Sequence, residues 1–204
     1  MAVGKLFVLL GRSASGKDKI YGRLLGDASL GLRPLVPATT RPMRAGETDG
    51  GTYRFITKAE LDALRSAGKI IEERTYRTAQ GPWTYATLKE ELGDASCLVI
   101  GTLESYRAMR EYYGEEETVP IYIYVTEKNL LERAMKREGK QEKPDYVELC
   151  RRFVADASDY APEKIEEAGI REMFDNNGDL DECVGRIKAR IKGALDEGGG
   201  TGDE

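Results

Sequence analysis

The chain has 204 residues, a length that fits one domain with small inserted subdomains and is long enough to bury a full core. Lys and Arg number 31 against 36 Asp and Glu, a formal net charge of −5 that argues against general nucleic-acid binding but leaves room for a local basic pocket. The absence of histidine excludes histidine bases, His-ligated zinc and phosphohistidine chemistry; no apolar run has membrane length, and Cys97, Cys150 and Cys183, odd in number and scattered, read as reduced thiols in a cytoplasmic protein.

The first predicted strand, near 3–10, contains the apolar run Leu6-Phe-Val-Leu-Leu10 and runs straight into a glycine loop, so it reads as a core strand and not a signal peptide. Residues 11–18 are GRSASGKD, and a helix is expected over 16–27. Strand, G-x-x-x-x-G-K and helix together form a phosphate-binding loop. Gly11 and Gly16 let the backbone curl until its N–H groups point inward, and Lys17 adds a point charge for β- and γ-phosphates. Ser13 and Ser15 lie within that loop, and Asp18 stands where Ser or Thr usually meets a metal.

Strands are expected next near 34–38 and 53–56, separated by a loop rich in glycine and arginine. A helix over 57–67 starts at a capping box, Thr57-x-x-Glu60. Residues 69–78 and 82–86 read as a hairpin around the Gly81-Pro82 turn, and a second capping box, Thr87-x-x-Glu90, predicts a helix over 87–94. Strands at 96–101 and 119–125 are continuously apolar, as in parallel sheets covered on both faces. Helices over 103–113, 127–138, 144–158 and 179–195 and a strand at 170–175 complete the alternation. This is an α/β pattern, with ligands at the C-terminal ends of strands. The polar segment 138–144 reads as a mobile loop, and 197–204 as a disordered tail.

Residues 39–55, TTRPMRAGETDGGTYRF, are the second landmark. Two guanidinium forks three residues apart on an irregular loop can converge on one dianion. With the glycine loop about forty residues upstream, this stretch resembles the guanylate kinase family and its T-T-R-x-x-R-x-G-E-x-D-G-x-x-Y-x-F signature. The resemblance runs over nearly the whole chain. It implies a P-loop parallel sheet flanked by helices (1–36 and 88–204), a small β-rich nucleoside-monophosphate insertion (37–87) and a helical lid near 134–147. By resemblance, Arg41, Arg44 and Tyr53 grip the monophosphate, Tyr85 touches it, and Glu72 and Thr87 face the base. Arg133, Arg137 and Arg152 match the arginines that close over the transferring phosphoryl group, Arg133 and Arg137 sharing one helix face at i and i+4.

Three departures from the family pattern are visible. Asp18 replaces the hydroxyl residue, Thr102 stands where an acidic residue reads guanine, and Pro37-Ala38 replaces a serine-rich pair. The resulting expectation is ATP-dependent phosphorylation of GMP to GDP with Mg²⁺, Asp18 being the metal-side carboxylate, in a monomer or homodimer without nucleic-acid or membrane partners. Two alternatives stay open at this point: a kinase of another small phosphate acceptor such as a ribose bisphosphate, and an inactive protein-binding module of the same shape.

Overall fold

The computed structural model describes residues 4–44, 46–78 and 81–198. A five-stranded, all-parallel sheet has the order β2 (Arg33–Pro34), β7 (Cys97–Ile100), β1 (Leu6–Leu10), β8 (Thr118–Tyr124), β9 (Met173–Asp175). Every residue of β1 is buried, because the sheet is covered on both faces. Leu6, Val8 and Leu10 pack with α3 (Leu103–Tyr113) through Tyr106 and Met109. Phe7 and Leu9 point the other way, onto Ile20 and Leu24 of α1 (Lys17–Leu25) and Ile187 and Ile191 of α7 (Leu180–Gly198).

A second sheet orders β4 (Arg54–Phe55), β3 (Ala38–Thr39), β6 (Gly81–Leu88), β5 (Ile70–Thr78). It packs on α2 (Lys58–Ser66) through Ala38, Leu61, Ala86 and Leu88. The Thr57–Glu60 capping box forms as predicted. A register shift between Ile70 and Glu72 turns Ile70 toward α2 and leaves Glu72, Arg74 and Tyr76 on the opposite face. Glu73, on the α2 face, pairs with Arg65.

Four expectations need correction. The strand expected at 34–38 is two strands in different sheets, β2 and β3; Pro34 and Pro37, lacking N–H groups, flank the crossing. The helix expected over 87–94 does not form: Thr87 and Leu88 belong to β6, and 89–94 is irregular. Thr87 gives its hydroxyl to Glu72 at 2.6 Å instead of capping a helix. Gly81 and Pro82 lie in β6 opposite Thr78 and Arg77, so they are not the hairpin turn, and 79–80 fall outside the described residues. A short helix absent from the sequence reading, α6 (Pro162–Glu167), starts with Pro in its first turn. Of the expected tail, Glu197 and Gly198 end α7, and 199–204 lie outside the described residues. The segment expected as a lid, near 134–147, spans the end of α4 (Glu127–Glu138) and the start of α5 (Tyr146–Asp159).

Candidate active site

The glycine loop joins β1 to α1 at the C-terminal end of the sheet, where an α/β fold offers its binding crevice. Its conformation requires its glycines. Gly11 has φ +143° and Gly16 φ +94°, and a Cβ on Gly16 would stand 2.7 Å from Asn176 Nδ2. Ala14 also adopts φ +65°, a costly left-handed geometry for alanine. The loop is held from behind. Asn176 Nδ2 donates to Ser15 O at 2.7 Å, and the Asn176 carbonyl accepts from Arg133 Nη2 at 2.7 Å. The Ser15 hydroxyl is buried and makes no hydrogen bond.

Lys17 curls back over the loop, its Nζ donating to Gly11 O at 2.5 Å and Arg12 O at 2.9 Å. Protein packs closely around the ammonium, although part of the side chain keeps exposed surface. Lost hydration lowers its pKa to about 8; the Asp18 and Asp156 charges oppose that shift and the Arg137 charge adds to it. Asp156, on α5, accepts from the Ser13 amide at 2.6 Å. A carboxylate thus occupies an amide of the anion loop. Neither Asp156 nor Asn176 was expected to take part. Asn176 had one local signal, the Asp175-Asn-Asn-Gly178 turn sequence after β9, whereas Asp156 had none.

Across the crevice, Arg41 is buried at 3 % exposure. Its fork meets Glu47 at 2.8 and 3.0 Å, Nη1 also donates to Pro42 O at 2.8 Å, and the guanidinium lies over the Tyr53 and Phe55 rings. The Glu47 hydrogen bonds raise the Arg41 pKa and lower that of Glu47, the Arg44 amide adding to the latter. Tyr53 packs edge-on against Tyr85, with centroids 5.4 Å apart, and burial raises its pKa. Tyr21 of α1, raised to about 12 by burial and by Tyr53, links the glycine-loop helix electrostatically to this group.

Glu72 and Thr87 do come together, joined by Arg74, which the sequence reading passed over. Arg74 Nε and Nη2 donate to Glu72 at 2.9 and 3.3 Å, and Nη1 donates to the Thr102 hydroxyl. Thr102 is also the N-cap of α3.

The three phosphoryl-side arginines are separated. Arg133 faces the back of the glycine loop through Asn176. Arg137 is exposed on α4, within electrostatic reach of Lys17. Arg152 lies 3.7 Å from both Glu138 and Glu148. Arg44 is exposed, its amide donating to Glu47 at 2.7 Å.

Mg²⁺ keeps several waters and is bound through one or two carboxylates plus substrate phosphates. The donor set agrees: exposed Asp18 stands in the first turn of α1, and no cluster of three or more His, Cys, Asp or Glu exists among the described residues. The three cysteines are free, and no described helix is long and apolar enough to cross a membrane.

The Guanylate kinase family model matches residues 3–192. A guanylate kinase from Symbiobacterium thermophilum is 33% identical over 190 residues, covering 92% of this chain and 84% of that protein. One from Granulibacter bethesdensis is 28% identical, covering 95% of this chain and 86% of that protein. The crystal structure of guanylate kinase from Anaplasma phagocytophilum aligns with a TM-score of 0.64 at 22% identity, over 95% of this chain and 87% of that one, and bears out the α/β fold expected. With its glycine loop and its arginine–tyrosine loop on facing sheets, the chain belongs to the guanylate kinase family of nucleoside-monophosphate kinases.

Proposed function

We propose that this kinase transfers the γ-phosphoryl group of ATP to GMP, giving ADP and GDP, with Mg²⁺. The observation that carries the reading is a glycine loop with a closely packed lysine, and, within electrostatic reach of Asp18 beside it, Tyr53 of the β3–β4 loop grouped with Arg41 and with Tyr85 of β6. An oxygen of the GMP phosphate attacks the γ-phosphorus, and the bond to the bridging oxygen of ADP breaks. The acceptor oxygen is already anionic, so no general base is required, which suits a chain without histidine.

Lys17 and the loop amides hold the ATP phosphates, while Arg41, Arg44, Tyr53 and Tyr85 hold the acceptor. Arg137 and Arg152 lie on the two helices flanking the lid segment, and inward movement brings them onto the transferring group. Arg133, bonded to the Asn176 carbonyl through Nη2, supports the loop and keeps donors for the phosphoryl group. Mg²⁺, when bound, neutralises charge on the β- and γ-phosphates, and Asp18 is the residue placed to hold it or one of its waters. The 37–87 segment acts as the acceptor-binding unit and 134–147 as the lid. Free cysteines support a reducing, cytoplasmic setting.

The test is a steady-state assay of purified protein across GMP, dGMP, IMP, AMP, UMP and ribose bisphosphate. GMP is expected to lead AMP by about a hundredfold or more, from two charge-assisted hydrogen bonds of roughly 1.5–3 kcal/mol each. Equal turnover of AMP and GMP refutes the base assignment, and flat rates on all acceptors refute the kinase.

A further inference from the structure

Glu72 does not face the crevice as a bare carboxylate. Arg74 and Glu72 are two apart on β5, on one face, and the Arg74 guanidinium lies side-on to the carboxylate at 2.9 and 3.3 Å. Thr87, opposite Glu72 on β6, donates to the same carboxylate at 2.6 Å. A carboxylate offers about four lone-pair sites, and Arg74 and Thr87 engage three. Glu72 therefore has room for about one further donor. Both side chains are largely buried, at 9% and 14% exposure, so competition from water is limited.

The guanidinium is differently placed. Of its five N–H groups, two go to Glu72 and one to Thr102, which leaves two. Thr102 fixes the far end of the fork because its hydroxyl sits at the N-cap of α3 and also accepts from the Ser105 amide at 3.3 Å. The guanidinium is thus held between β5 and α3, with donors spare beside a nearly saturated acceptor.

We propose that Arg74 is the main base-reading residue of this kinase, and that it selects the 6-oxo group of a purine monophosphate. The inference rests on the nucleoside-monophosphate reading above. Its chemistry is that of guanidinium recognition of guanine, whose O6 and N7 both accept. Glu72 then takes the adjacent N1–H with its remaining site. The exocyclic 2-amino group, left without a free carboxylate oxygen, contributes little. Hypoxanthine has the same O6, N7 and N1–H as guanine, so IMP and GMP become near-equivalent acceptors. Adenine presents a donor where Arg74 also donates and is rejected.

The experiment compares kcat/KM for GMP, IMP, 2-aminopurine riboside monophosphate and AMP in the wild type and in Arg74→Met and Arg74→Lys. Wild type is expected to use IMP within about threefold of GMP. It should lose roughly 10- to 100-fold on the 2-aminopurine nucleotide, which keeps the 2-amino group and lacks both O6 and N1–H. In Arg74→Met the share of this penalty owed to O6 disappears, and the share owed to N1–H at Glu72 remains. Glu72, relieved of its partner, then takes both N1–H and N2–H₂, so the variant newly prefers GMP over IMP by about tenfold. Loss of folding cannot create such a preference. Arg74→Lys should keep part of the O6 penalty. Calorimetric ATP binding checks that each variant retains its glycine loop.

A wild type that disfavours IMP as strongly as the 2-aminopurine nucleotide overturns the proposal. So does a penalty on the 2-aminopurine nucleotide that is undiminished in Arg74→Met. Preference for ribose bisphosphate over every purine nucleotide assigns the spare N–H pair to a second phosphate and overturns both this inference and its parent reading. Brisk GMP turnover with an Arg74-independent base profile overturns this inference alone.

Discussion

Replacing Lys17 by methionine, and titrating the parent protein, tests the glycine loop through a proton. The free protein holds the ammonium against two carbonyls under the loop, and lost hydration sets its pKa near 8. Nucleotide phosphates brought against it favour the charged form and return the pKa toward its ordinary value of 10.5. At pH 9 the free site is then about one-tenth protonated and the bound site almost fully so, and ATP binding draws in about 0.9 proton. At pH 7 it draws in about 0.1. The same linkage weakens ATP binding about tenfold between pH 7 and pH 9, a cost of about 1.4 kcal/mol. The nucleotide's own phosphates finish ionising below this window. Calorimetry in two buffers of unlike ionisation enthalpy reads the proton directly. Stability has the opposite sign. Between pH 8 and 10.5 the unfolded chain binds the proton and the folded chain releases it, so the free protein gains stability as pH rises through that window. Lys17→Met should therefore melt higher than the parent at pH 7, turn over far more slowly, and take up no proton. Affinity and proton count that stay level to pH 9.5 in the parent would refute the burial argument.

Asp156→Ala should tighten ATP binding about three- to tenfold, because the carboxylate on the Ser13 amide must leave before a phosphate arrives; calorimetry giving the parent Kd would show that this contact does not compete. Arg41→Lys removes a bidentate fork and should raise KM for GMP at least about tenfold while leaving KM for ATP within about twofold; equal losses for both substrates would point to general damage. Glu138→Gln weakens the buried carboxylate that receives Gln141 Nε2 at 2.7 Å, the Asp145 amide at 2.8 Å and, at 3.7 Å, Arg152. Hydrogen exchange in 139–145 should quicken roughly tenfold in that variant, and unchanged protection there would mean that Glu138 does not fasten the lid segment.

The glycine loop was legible because its requirement is local: two left-handed glycines, a lysine and a helix start lie within eight residues. The acceptor loop was legible as a family signature, but neither the Arg41–Glu47 fork nor the Arg41 guanidinium over the Tyr53 ring was expected. What escaped was set by distant partners. Asp156 meets Ser13 across 143 residues and Asn176 meets Ser15 across 161, and no spacing rule reaches that far. Thr87 shows the competition plainly. Thr-x-x-Glu is a sound capping signal, yet pairing of Ile70 with Leu88 carries the chain on as strand, and the Glu72 carboxylate takes the hydroxyl. The bulge after Ile70 hid Arg74 in the same way, since strand alternation counted from Ile70 puts Arg74 on the α2 face only if no residue is inserted.

A phosphoryl-transfer site must hold many positive groups close together, and without substrate they repel one another. In this chain carboxylates meet that repulsion. Glu47 holds Arg41, Glu72 holds Arg74, Glu138 and Glu148 flank Arg152, and Asp156 lies on the loop beside Lys17. On the proposed reading, each carboxylate lies at or next to a group that a substrate phosphate or base engages. On the proposed reading, a phosphate arriving at Arg41 or at the Ser13 amide exchanges with Glu47 or Asp156, and its binding free energy is the difference between two strong interactions rather than either alone. A net charge of −5 is consistent with a nucleotide site on this view, because much of the acidity stands against the arginines it restrains. The exchange also favours selectivity. On the same reading, an acceptor phosphate that leaves Glu47 displaced but unpaired incurs the desolvation cost of that carboxylate, whereas one that satisfies the vacated groups does not.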